Sequence, residues 1–204
     1  MPTNRLEAFS DGVLAVIITI MVLELKVPTG HDLAALTSGV GASLLTYLLS
    51  FAYIGIYWNN HHHMLHATRR LTGGALWANL HLLFWLSLVP FTTAWMDQTD
   101  LARVPVVVYG VNLLAAAFAY VILQTVIIRG EGPDSTLKHA LGNDVKGKIS
   151  PVLYLAGIGC ALIGSDHSKT LIYVGLGFFV AVAILWLIPD RRIERSLTQS
   201  DGGL

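Results

Sequence analysis

The chain has 204 residues, 54% of them apolar and only 13% charged, with a mean hydropathy of +0.61. Soluble domains carry about 25% charged residues, so a water-soluble globule is excluded. Thirteen Lys and Arg balance thirteen Asp and Glu at a pI near 7.1, which leaves no basic surface for nucleic acid.

The charges are bunched, and between them lie six uncharged runs at residues 12–23, 33–68, 71–96, 104–128, 149–165 and 170–189. A hydrocarbon core about 30 Å thick takes roughly 20 helical residues at about 1.5 Å each. The pattern predicts six transmembrane helices over about 5–28, 36–68, 72–97, 103–129, 148–165 and 169–189. Barrel strands do not fit, because they need about ten-residue segments of alternating polarity. The expected fold is an all-α membrane protein, one six-helix transmembrane domain over residues 1–204.

The first run reaches bilayer length by counting from Phe9 to Pro28, with Asp11, Glu24 and Lys26 near its ends. A cleaved signal peptide wants a positive start and a small-residue cleavage site. Here Arg5 precedes the acidic Asp11 and Glu24 stands where cleavage would fall, so a retained helix is expected. The second, third, fourth and sixth runs are long enough outright. The fifth holds Gly157, Gly159, Gly164 and the lone Cys160, which has no partner for an intrachain disulfide and no metal-motif spacing. The sixth contains YVGLG at 173–177. Residues 129–148 mix Gly, Pro and charge in the manner of a linker, and 191–204 read as a short tail. No loop leaves room for an extramembrane catalytic unit.

Cytoplasmic loops are enriched in Lys and Arg. With the N-terminus inside, ten basic residues fall on the inner side: Arg5, Arg69, Arg70, Arg129, Lys138, Lys146, Lys148, Arg191, Arg192 and Arg195. Three fall outside, Lys26, Arg103 and Lys169. Both termini are therefore expected in the cytoplasm, in a multi-pass protein of the cell's inner (plasma) membrane.

Polar residues inside the hydrocarbon are costly unless they face a partner or water, and two places hold them. One is RLEAFSDG, residues 5–12; the other is WNNHHHMLH, residues 58–66, both on the inner side. On a helical wheel of about 100° per residue, Val16, Ile20, Leu23 and Val27 form a narrow apolar stripe flanked by Gly12, Val13 and Thr19, with Asp11 roughly opposite. Such a stripe serves equally for lipid or helix contact. Ser10 and Asp11 suit a helix N-cap as well as a buried network. His62 and His66, four apart, could share a face as metal ligands do, but the span holds no carboxylate or thiolate to complete a site, and hydrogen bonding from the imidazoles to carboxylates such as Asp11 is the better reading. No metal or other cofactor is expected.

The sequence R-x-x-x-F-S-D followed at once by an apolar helix resembles the signature of the transmembrane protein 175 family of potassium channels. Arg5, Phe9, Ser10 and Asp11 stand at the motif positions, and Thr19 follows at the family's distance. Trp58 and His61–His62 resemble the family's second helix, and residues 79–95, with Asn79, Trp85, Pro90 and Phe91, look like its third. The resemblance implies a cation channel in which first helices surround a central pore and apolar side chains constrict it. Carried over, the constriction is Val16, Ile20 and Leu23, with Thr19 nearby. Arg5, Phe9, Ser10, Asp11, Trp58, His61, His62 and Asn79 would form a structural polar network rather than a filter. Val16 departs from the family's common Ile or Leu, which moves the expected narrowest ring to Ile20 or Leu23. A single six-helix repeat implies the prokaryotic form, a homotetramer in a lipid bilayer passing monovalent cations.

The filter string TVGYG is absent, and YVGLG lies within a span whose carbonyls are taken by helix bonds, so its glycines read as packing residues. The expected activity is a leak-type potassium-permeable channel with modest preference over sodium. A proton-coupled secondary transporter using Asp11, Glu24 and the second-helix histidines is the rival, and a histidine-metal membrane enzyme a weaker third.

Overall fold

The computed structural model describes residues 3–187, apart from 26, 29, 69, 133, 134, 136 and 139–144, and the side chains of 36, 38–40 and 42. Lys26, Arg69, Arg191, Arg192, Arg195, much of the 129–148 linker and the tail lie outside the described residues. The helices are α1 (Thr3–Leu23), α2 (Leu33–His66), α3 (Gly73–Ser87), α4 (Val89–Gln98), α5 (Arg103–Glu131), α6 (Val145–Ile163) and α7 (Thr170–Leu187). Among the described residues, five helical stretches are long and apolar enough to cross a membrane: α1, α3 with α4, α5, α6 and α7. The 34 residues of α2 make it the longest helix, about 51 Å at about 1.5 Å per residue.

The first helix differs in its limits from the stretch 5–28. It begins at Thr3 and stops at Leu23. Val27 precedes Pro28, and a residue before proline is held out of the α region, so the helix does not run on through LELKVP. Its length is gained instead at the polar N-terminal end, where neighbouring helices supply partners. Asp32 caps α2 by accepting from the Ala35 amide at 2.8 Å.

The stretch 72–97 is two helices rather than one. Leu88 ends α3 and begins α4. Pro90 has no amide proton for the carbonyl one turn back, and its ring crowds that carbonyl, so the ladder breaks there.

Helix α5 is the centre of the bundle, touching α3, α4, α6 and α7. Val106, Tyr109, Leu113, Ala116, Ala119 and Leu123 along it are fully buried. In lipid, helices associate by close packing and hydrogen bonds rather than by escape from water, and the α6–α7 contact shows this. A Cβ placed on Gly175 would come within 2.6 Å of the Gly157 carbonyl oxygen. Gly175, the first glycine of YVGLG, therefore sets the approach of α7 to α6, inside a regular helix. At the end of the bundle where α4 and α6 finish, Lys169 bonds Asp100 and the Asp166 carboxylate accepts from the Arg103 amide at 2.7 Å, clasping two loops together.

Candidate pore helix and its polar anchor

Helix α1 packs against α2, α3 and α4. It does so with one face: Leu6, Ser10, Leu14, Ile17 and Met21, spaced three or four residues apart, are buried. Some 120° round the wheel, a second stripe is left largely uncovered: Phe9 is 52% exposed, Val16 54%, Ile20 43% and Leu23 80%. Gly12 and Thr19 are exposed on the same side. The Thr19 hydroxyl donates to the Val16 carbonyl at 2.9 Å, which commits its proton and leaves its oxygen lone pairs outward. Beside the stripe a groove of about 830 Å³ separates α1 from α4, with Val16, Ile20 and Glu24 on one wall and Pro90, Phe91 and Trp95 on the other.

The buried face carries a polar relay through three helices. His61 Nε2 and Asn79 Oδ1 are 2.7 Å apart, the Asn79 amide donates to Ser10 Oγ at 3.0 Å, and the Ser10 hydroxyl donates to the Leu6 carbonyl at 2.8 Å. All three side chains are at most 1% exposed. Because the Asn79 oxygen can only accept, Nε2 of His61 bears the proton, and Nδ1 has no hydrogen-bond partner among the described residues. Two further bonds tie α1 to α2 nearer the surface. Trp58 Nε1 donates to Asp11 Oδ1 at 3.0 Å, and His62 Nδ1 lies 2.7 Å from Glu7 Oε1. Trp58, His62 and His66 stack as a column, with ring centroids 6.2 and 5.8 Å apart.

The structure thus brings together Ser10, Asp11, Trp58, His61, His62 and Asn79. It leaves Arg5 and Phe9 apart from them: both are exposed on the side of Val16, and Arg5 makes no hydrogen bond or ion pair with another described residue. His66 stacks on His62, and among the described residues no three His, Cys, Asp or Glu side chains converge as a metal site. Trp85 donates its indole proton to His81 at 3.0 Å.

Glu7 was not anticipated, and it is the partner of His62. Its signal is arithmetic: stepping back four residues from Asp11 reaches Glu7, as stepping on four from Trp58 reaches His62, the register of two antiparallel helices. A second relay also escaped notice. Ser50 Oγ lies 2.7 Å from Thr93 Oγ1 and 3.1 Å from the Tyr109 hydroxyl, joining α2, α4 and α5. Isolated hydroxyls in apolar runs give no sign of which others they meet.

The sequence model of the family described as "Endosomal/lysosomal potassium channel TMEM175" matches residues 5–90, which hold all but the first two residues of α1 and its whole anchor. A potassium channel of Chryseobacterium sp. (strain P1-3) is 50% identical over 200 residues, covering 98% of this chain and 100% of that one. The chain belongs to the TMEM175 family. A potassium channel of Streptomyces collinus is 34% identical over 125 residues, 58% of this chain and 61% of its own. The crystal structure of a lysosomal potassium-selective channel TMEM175 homolog from Chamaesiphon minutus matches with a TM-score of 0.72 at 30% identity, over 91% of this chain and 96% of that one. As a TMEM175 protein, the chain is an integral membrane protein of an ion-channel family rather than an enzyme family.

Proposed function

We propose that the protein is a leak-type potassium-permeable channel, a homotetramer in which four copies of α1 surround a central pore. Each chain crosses the inner membrane six times, α2 included, as one domain with both termini in the cytoplasm. The observation that supports this is the apolar stripe Val16, Ile20 and Leu23, left uncovered on a helix whose other face is anchored by hydrogen bonds. A single stripe is one wall, and a conduit needs the copies.

The seven steps from Val16 to Leu23 rise about 10 Å along the axis, so an ion passes three apolar rings in succession. Potassium sheds its hydration shell more cheaply than sodium, and the outward lone pairs of Thr19 replace part of it, giving modest selectivity. Rings of this kind also close by dewetting. Ile20 and Leu23 make the narrowest rings, since Val16 is the smaller side chain.

A bi-ionic reversal potential on the protein in proteoliposomes tests this reading. A conductive flux reversing toward the potassium potential is expected. An electroneutral flux that disappears without a pH gradient would establish the proton-coupled transporter instead.

A further inference from the structure

Away from α1, where α2 and α5 finish and α6 begins, the bundle encloses a cavity of about 180 Å³. Its walls are aromatic: Tyr53 and Tyr57 from α2, Phe118 from α5, Tyr154 from α6 and Trp186 from α7. Among the described residues its side-chain amide and hydroxyl groups are Asn60, Gln124, Ser150 and the tyrosines, and none of the described lining residues is Asp, Glu, Lys or Arg.

Most of these polar groups are already engaged. Ser150 accepts from Trp186 Nε1 and donates to the Lys146 carbonyl, both at 2.8 Å. Tyr53 donates to the Phe179 carbonyl at 2.6 Å, and the Asn60 amide to the Ile56 carbonyl at 2.8 Å. Two are not. The side chains of Gln124, 9% exposed, and Tyr57, 8% exposed, line the cavity and make no hydrogen bond to any described residue. Their polar atoms open onto the cavity space, so an occupant able to hydrogen-bond would find two free groups there.

Size and chemistry then narrow the occupant. A dry apolar cavity of about 150 Å³ accepts benzene, so the slightly larger volume here admits one substituted or fused ring. Aromatic walls favour a ring. The lack of charged lining disfavours an ion. Gln124 offers both a donor and an acceptor, and Tyr57 a hydroxyl that can act as either. Phe118 and Val121, 52% and 42% exposed, bring the cavity to the bundle surface, where a molecule dissolved in the bilayer enters. We propose that this cavity is a binding site for a neutral aromatic molecule of indole size carrying a single N–H or O–H group. The site stands independently of the conduction reading, since none of its lining residues belongs to α1.

The test is isothermal titration of the full chain in nanodiscs with indole, benzene and tryptamine, followed by structure determination with bromoindole. Indole is expected to bind saturably at one site per chain and benzene about fivefold more weakly, one neutral hydrogen bond's difference. Tryptamine, cationic at neutral pH, is expected not to saturate. Indole's single N–H donates one hydrogen bond, so one of Gln124→Leu and Tyr57→Phe, and the two combined, should weaken indole about fivefold and leave benzene unchanged. Bromine density between Tyr57 and Trp186 would support the site. Non-saturable uptake of indole, equal affinity in both variants, or a lipid acyl chain filling the cavity would overturn it.

Discussion

The two long faces of α1 have nearly the same chemistry and opposite fates. Leu6, Leu14, Ile17 and Met21 are buried against α2, α3 and α4, while Val16, Ile20 and Leu23, one or two positions away, are left largely exposed by their own chain. In water, exposure of such a stripe would be a fault; in a bilayer it costs little, because lipid tails are as apolar as leucine. What separates the faces is the polar anchor. Ser10, Asp11 and Glu7 bond to Asn79, Trp58 and His62, and these bonds select which side of the helix turns inward. Hydrophobicity inserts the helix, and hydrogen bonds orient it.

That contrast is open to breakage, and the anchor should break hardest. Replacing Asn79 with Leu strands the His61 Nε2 proton and removes the donor to Ser10, and it should cost about 3 kcal/mol of stability, read as a lower midpoint of thermal unfolding in detergent. Should Asn79→Leu melt like the parent chain, the relay would not orient α1. Trp58→Phe removes one bond to the half-buried Asp11 carboxylate and should cost about 1 kcal/mol, with correspondingly less of the proposed tetramer recovered on size exclusion. Asp11→Ala should act in the same direction; a normal tetramer deprived only of proton coupling would point to the transporter.

On the stripe the pattern inverts. Ile20→Ser or Leu23→Ser should alter the melting midpoint hardly at all, by about 0.5 kcal/mol or less, since both side chains are exposed in the monomer. The same variants should raise conductance and move the bi-ionic reversal potential toward zero, and unchanged currents in both would place the pore elsewhere. The smallest effect is expected at the Lys169–Asp100 clasp. The hydrogen bond from Lys169 to Asp100 raises the lysine above its ordinary value of 10.5, so on the alkaline side the pair survives neutral pH and is lost only as pH climbs through the raised value. Lys169→Ala should leave melting at neutral pH unchanged, because both partners are at the surface and screened by solvent; a clear loss would show that the clasp holds the bundle.

Much of the site was legible in the linear chain because polar residues in an apolar run announce themselves. Ser10, Asp11, Trp58, His61, His62 and Asn79 stood out for that reason, and the motif around Arg5 and Phe9 pointed to the family. Glu7 did not stand out, since a charge near a chain's start has an ordinary explanation in solvent. Nor did the helix break at Leu88, although Pro90 was in view: proline is tolerated in membrane helices, and whether one kinks or merely starts a helix depends on what its neighbours supply.

The amino-acid order alone therefore determined an all-helical membrane protein, its family and most members of the polar anchor, because hydropathy and polarity are properties each residue carries with it. Which apolar face of α1 is covered, which carboxylate meets which ring, and that Gln124 and Tyr57 share a cavity were decided only by the packing of the helices. Lipid and protein are nearly equivalent surroundings for an apolar side chain, so composition cannot rank them, and a hydrogen bond between helices exists only once both are in place.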